Sequence, residues 1–117
     1  MNLEEFQKYC IIKPGVTEEL PFGPTTLVYK VMGKMFALTG LEEFKSINLK
    51  CDPDEAIELR ERFVEVQPGY HMNKKLWNTV RVNGAVDDQM IYGMIDDSYE
   101  LIKQSLTKKL REELENR

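Results

Sequence analysis

Between residues 26 and 51 the chain holds three strand-like runs, the first and third with alternating faces, broken only by turn-sized gaps. No other feature limits the fold as much. A period of two belongs to strands, and gaps this short join strands that run antiparallel. Residues 26–32 (TLVYKVM) set Leu27, Tyr29 and Val31 on one face and Val28, Lys30 and Met32 on the other. Met32-Gly33 turns the chain, and residues 34–39 (KMFALT) return as a second strand. After Gly40 and Glu42-Glu43, residues 44–51 (FKSINLKC) direct Ile47, Leu49 and Cys51 inward and Ser46, Asn48 and Lys50 outward. Such a meander has one apolar face, which needs other elements laid over it.

The flanking segments supply that cover. Asn2 with Glu5 has the spacing of a capping box, and Leu3, Phe6 and Cys10 then line one side of a helix that Pro14-Gly15 ends. The following residues, with Pro21, Gly23 and Pro24, read as a loop, too broken for a helix or a central strand. Asp52-Pro53-Asp54-Glu55 is a helix start: Asp52 caps, Pro53 takes the first helical position and Glu55 complements the dipole. This helix runs to about Phe63 and buries Ala56, Leu59 and Phe63. A short strand at 64–67 ends at Pro68-Gly69, Tyr70 to Leu76 forms an ordered loop, and residues 77–82 (WNTVRV) form the last strand. From Asp87 the spacing of Met90, Ile91, Met94, Ile95, Leu101, Ile102 and Leu106 is helical, with Gly93 a point of bending and Asp97 with Glu100 the start of a second segment. Beyond about residue 107 only Leu110 and Leu114 are apolar, so the end is expected to project or fray. The pattern predicts a two-layer α+β domain, α-β(3)-α-β(2)-α, with an antiparallel sheet and helices packed on one face.

At 117 residues the chain is one domain's worth and can bury a core without staples. Cys10 and Cys51 stand apart with no second Cys or His near either, so they read as core thiols rather than zinc ligands or a disulfide. No leader-like segment opens the sequence and no apolar run is long enough to span a bilayer, so a cytoplasmic monomer with no membrane partner is expected.

The net charge of −4 taken alone argues against polyanions, but the charge is unevenly spread. Residues 22–50 carry +2 and residues 69–86 carry +3, while residues 1–21, 51–68 and 87–117 carry −2, −4 and −3. The strands and their loops are basic and the helices acidic. Alternation aims Trp77, Thr79 and Arg81 away from the helices, on the side shared by Lys30, Ser46, Asn48 and Lys50. Basic groups interleaved with aromatic rings suit phosphates and stacked bases. The competing account is a solvated polar face beside helices whose acids keep the chain soluble.

The segment Pro68-Gly69-Tyr70-His71-Met72-Asn73-Lys74-Lys75-Leu76-Trp77 holds the only His and the only Trp. His71 is a candidate general base or ligand, but no nucleophile motif and no second ligand accompany it; a backbone-bonded structural role competes with both. Asn73 is placed to satisfy the backbone of the same loop, and Trp77 serves equally as an apolar anchor. Asp87-Asp88 and Asp96-Asp97 sit where helix starts call for negative charge, which explains them better than a cation does. No metal, cofactor or catalytic group is expected.

Gly33-Lys34-Met35-Phe36-Ala37, Leu49-Lys50-Cys51-Asp52-Pro53, the Pro68–Lys75 segment with Trp77-Asn78-Thr79-Val80, and Ser98-Tyr99-Glu100-Leu101 follow one another in order. Together they resemble the MmcQ/YjbR-like family of small bacterial proteins over nearly the whole chain. The resemblance implies a fold akin to type III secretion chaperones and the frataxin-like CyaY domain, and a double-wing DNA-binding role. It supplies no catalytic residues. Three function classes follow. One is a DNA- or other nucleic-acid-binding module using Lys30, Lys34, Lys50, Lys74, Lys75, Trp77 and Arg81. The second is an adaptor that binds a protein or a metal. The third is a small-molecule site or enzyme at the loop, drawing on Tyr70, His71, Asn73, Asn78, Ser98 and Tyr99, which predicts a pocket there.

Overall fold

The computed structural model describes residues 1–117. Helix α1 (Leu3–Ile11) opens on the capping box, with Asn2 accepting from the Glu5 N–H and the Glu5 side chain accepting from the Asn2 N–H. Strands β1 (Val16–Glu19), β2 (Thr26–Val31), β3 (Lys34–Gly40) and β4 (Ser46–Lys50) follow. Helix α2 (Pro53–Arg62) starts at Asp52, whose carboxylate accepts from the N–H groups of Asp54 and Glu55. Strands β5 (Val66–Pro68) and β6 (Trp77–Arg81) lead to α3 (Asp88–Ser105) and α4 (Lys108–Glu115). The six strands form one antiparallel sheet in the order β1-β2-β3-β4-β6-β5.

The helices pack on one side of this sheet, over a cluster that includes Phe6, Leu27, Tyr29, Ile47, Leu49, Val80, Ile91, Ile95 and Ile102. A bulge between β2 and β3 inserts Phe36, and both Phe36 and Ala37 become buried in this core. Where β3 and β4 part beyond the Ala37–Leu49 pair, Ser98 of α3 fills the gap. Its hydroxyl accepts from the Lys50 N–H at 2.9 Å and donates to the Phe36 carbonyl at 2.5 Å, standing in for a missing rung of the ladder.

The structure departs from the sequence reading at three places. Residues taken for loop after Gly15 include β1, an edge strand paired from Val16 to Glu19 against β2. An edge strand buries little, so the two glutamates of β1 stay near solvent and break the apolar pattern that marks a strand. Helix α3 is continuous through Gly93 and past Asp97, and its break falls at Leu106 and Thr107. There Leu106 is extended and Thr107 caps α4 by accepting from the Leu110 N–H. The C-terminal residues, expected to project, fold back instead. Leu114 is buried in the main core, against Gly15 and Met32 at the β2–β3 turn.

Candidate functional site

The face of the sheet turned away from the helices carries the candidate site. Strand register puts Glu19, Val28, Leu38, Asn48, Thr79 and Gln67 in one row across it. The row on one side holds Lys30 opposite Met35 and Lys50 opposite Trp77, and the row on the other holds Thr26 opposite Gly40 and Ser46 opposite Arg81. Lys30, Lys50, Trp77, Thr79 and Arg81 thus share a face, as alternation predicts.

Trp77 does not offer its ring to solvent. It is 8% exposed and forms a second, small apolar cluster with Val28 and Leu38, against which Met35, Met72 and Leu76 pack. The segment from Gly69 to Leu76 folds over this half of the face, and an indole with apolar neighbours on two strands gains more from that cover than from water. Of the two readings of Trp77, the apolar anchor is the one found, and the reading as a stacking ring on the binding face is corrected.

The covering loop is tied down at nearly every residue. The Gly69 N–H donates to the Trp77 carbonyl at 2.8 Å. Tyr70 is held at both ends of its peptide: its N–H donates to Thr79 Oγ1 at 2.9 Å, and its carbonyl accepts from Asn48 Nδ2 at 3.4 Å. The Thr79 hydroxyl in turn donates to Asn48 Oδ1 at 2.5 Å. Asn73 accepts from the Lys75 N–H through its side chain, and its carbonyl accepts from the N–H groups of Leu76 and Trp77. Lys74 folds its Nζ back onto the Gly69 carbonyl at 2.9 Å. From the helix side Arg60 reaches through, donating to Asn78 Oδ1 at 2.8 Å and to the carbonyls of Trp77 and Lys74. Within this frame His71 adopts a left-handed backbone (φ 60°) and stays exposed, its ring tilted on that of Tyr70 with centroids 4.0 Å apart.

A groove of about 500 Å³ runs beside the loop. Its floor is Leu38, Ser46, Asn48 and Thr79; Tyr70, His71 and Met72 form one wall, and Phe22, from the β1–β2 connection, lines it as well. Phe22 also lines a shallower depression of about 440 Å³ with Lys30, Lys34, Met35, Lys50 and Trp77. Phe22 is 63% and Tyr70 68% exposed, unusual for rings in a chain with a well-formed core. Sequence reasoning missed Phe22. The available signal was an aromatic residue between Pro21 and Gly23, in a segment with no periodicity to bury it.

The cations differ in how free they are. Lys30 pairs with Glu19 at 3.2 Å, and the Thr17 hydroxyl together with Lys30 holds the Glu19 carboxyl below the usual carboxylate range. Lys34 turns toward the helix layer and donates to the Ser105 carbonyl at the end of α3, at 3.2 Å. Lys74 is spent within the loop. Lys50 is half-buried, Lys75 and Arg81 are exposed, and none of these three is ion-paired.

Three residues of the predicted pocket lie behind the sheet. Asn78 is buried against Arg60, Ser98 bridges β3 and β4, and Tyr99 donates to the Pro14 carbonyl at 2.7 Å with its ring edge-on to Phe36. Their role is in the fold, because the whole thickness of the sheet separates them from the groove. Three of the four aspartates in the Asp87-Asp88 and Asp96-Asp97 pairs are likewise engaged: Asp87 caps α3, Asp88 receives the terminal ammonium of Met1 at 3.0 Å, and Asp96 accepts from Tyr9 and Lys13. No three of the His, Cys, Asp and Glu side chains gather where they could hold a metal ion. Burial pushes the Cys51 thiol up to about 11, helped by Glu55, Asp52 and Asp97, so the reactive thiolate is disfavoured there.

Comparison with known proteins places this geometry in a family. A family model described as YjbR matches residues 12–101. YbdF of Escherichia coli O157:H7, described as uncharacterised, is 37% identical over 91% of this chain and 88% of its own. YjbR of Escherichia coli K12 is 33% identical over 86% of each chain. Among solved structures, the Deinococcus radiodurans protein DR2400, which carries a DUF419 domain, superposes with a TM-score of 0.90. It is 35% identical and the match covers 97% of this chain and 87% of that one. A Pseudomonas syringae protein superposes at 0.74, with 29% identity over 86% of this chain and 98% of that one. The chain belongs to the YjbR family.

Proposed function

We propose that the helix-free face of the sheet binds nucleic acid. The observation that carries this reading is the sorting of chemistry between the two layers. Lys50, Lys75 and Arg81, free of ion pairs, accompany the exposed rings of Phe22, Tyr70 and His71 on one side. The acid-rich helices lie on the other. Cations hold phosphates, rings take up base faces, and acidic helices on the far side orient the molecule in the field of a polyanion. Trp77 supports the surface from beneath rather than touching the ligand.

The test is a fluorescence-anisotropy titration of labelled oligonucleotides at about 50 and about 200 mM salt. With three free cations engaged, log K is expected to fall with log salt at a slope of about −2 on a single strand. Arg81→Ala and Lys75→Ala, both at exposed sites, are expected to weaken binding and to flatten that slope by roughly 0.7 each. Absence of binding at the lower salt overturns the reading.

A second reading, a small-molecule site, draws on the size of the groove, which lies in the range that encloses drug-sized ligands. A compound that binds in the groove with no dependence on salt would favour it.

A further inference from the structure

We infer that the groove is built for an unpaired nucleic-acid strand, with a base laid against Tyr70 and Phe22, and not for a duplex. This inference rests on the nucleic-acid reading above and specifies it. Duplex sequence is usually read by a helix or a two-stranded ribbon that enters the major groove. On this molecule all the helices pack behind the sheet, and no such element projects from the binding face. What the face offers instead is flat aromatic surface. A duplex keeps its base faces stacked inside, so exposed rings gain little from it, whereas a single strand can swing a base out onto them.

The ring pair is held ready for that contact. Tyr70 is anchored through both its N–H and its carbonyl by Thr79 and Asn48, and the left-handed backbone of His71 lays the second ring beside it. Little ordering remains to be done when a base arrives, which favours affinity. The cations flank the groove along the strands. Lys50 lies opposite Trp77 and Arg81 opposite Ser46, and these pairs are four residues apart on β6, about 13 Å at strand rise. Phosphates on either side of a seated base thus find a positive charge toward each end. Leu38 and Met72 give the groove an apolar strip, Asn48 and Thr79 are engaged with each other and with Tyr70, and Ser46 and Thr26 add hydroxyls that a sugar of either kind can meet.

The experiment measures the affinity of the full chain for fluorescein-labelled dT12, for the dT12·dA12 duplex and for U12. The same titrations are run with Tyr70→Ala and Phe22→Ala. Both side chains are largely exposed, and a thermal melt confirms that each variant is folded. The expected result is dT12 and U12 each bound at least about tenfold tighter than the duplex, with Tyr70→Ala losing about five- to a hundredfold on dT12. Binding of the duplex as tight as or tighter than that of the single strands, or wild-type affinity in both variants, overturns the inference and leaves nucleic-acid binding standing. No binding to any of the three probes overturns both.

Discussion

Gly69 has almost no latitude. A methyl group there would stand 2.7 Å from Trp77 Cβ, 2.9 Å from the Trp77 carbonyl oxygen and 3.1 Å from Met72 Cβ. All of these atoms belong to Trp77 and Met72, of the small cluster that supports the groove, and none of the three can swing aside by a side-chain rotation. Gly69→Ala is expected to cost about 1–3 kcal/mol, read as a lower urea midpoint at unchanged slope. A midpoint equal to that of the parent chain would show that the loop gives way. The sequence makes such a site hard to see. Pro68-Gly69 is legible as a strand end, but the reason for glycine is Trp77, eight positions on and folded back over it. The same limit explains Trp77 itself. Alternation correctly gave its side of the sheet, yet a loop without periodicity covers it, and a loop's path is invisible to a pattern of two. Asn78 and Ser98 enter the predicted pocket as parts of the stretches that carry the family resemblance, whereas packing on the helix side decides their role.

Among the elements, those with strong local signals were legible and those defined by their partners were not. β2 and β4 emerge from alternation, β3 from the Met32-Gly33 turn before it, and α1 and α2 from their caps, because each signal lies within a few residues. β1 and α4 depend on what they touch. In α4 the sequence shows two leucines in a charged run, with no hint that the β2–β3 turn and Gly15 wait to receive one of them. Leu114 lies within the main core, so Leu114→Ala is expected to destabilise the whole domain by about 2–5 kcal/mol in a single cooperative transition. A variant that only frays, losing amide protection after residue 106 while the sheet keeps its own, would mean that α4 is an appendage.

For the whole molecule, the two layers respond to different solution variables. Salt acts on the basic face, as the titration above tests, and high pH acts on the core between sheet and helices. Burial pushes the Cys10 thiol up from 9.0 to about 12, and burial with Asp96 pushes the Tyr9 hydroxyl up from 10.0 to about 12. Each group stays protonated longer in the folded chain than in the unfolded one. Their contribution is therefore complete below about pH 9 and shrinks as the pH rises toward 12, by at most about 1.4 kcal/mol per pH unit from Cys10. Urea midpoints that fall across this window, with a shallower fall in Cys10→Ala, are the expected outcome; a flat profile would contradict it. The margins of the sheet have a consequence of their own. β1 presents Glu18 and Glu19 and is soon followed by Pro21, while β5 is three residues long and ends in Pro68. An incoming strand from another molecule would find acid and proline at one margin and too short a template at the other. Fibril growth by strand addition is thereby discouraged, and that safeguard lets the protein leave a β-surface bare in a crowded solution.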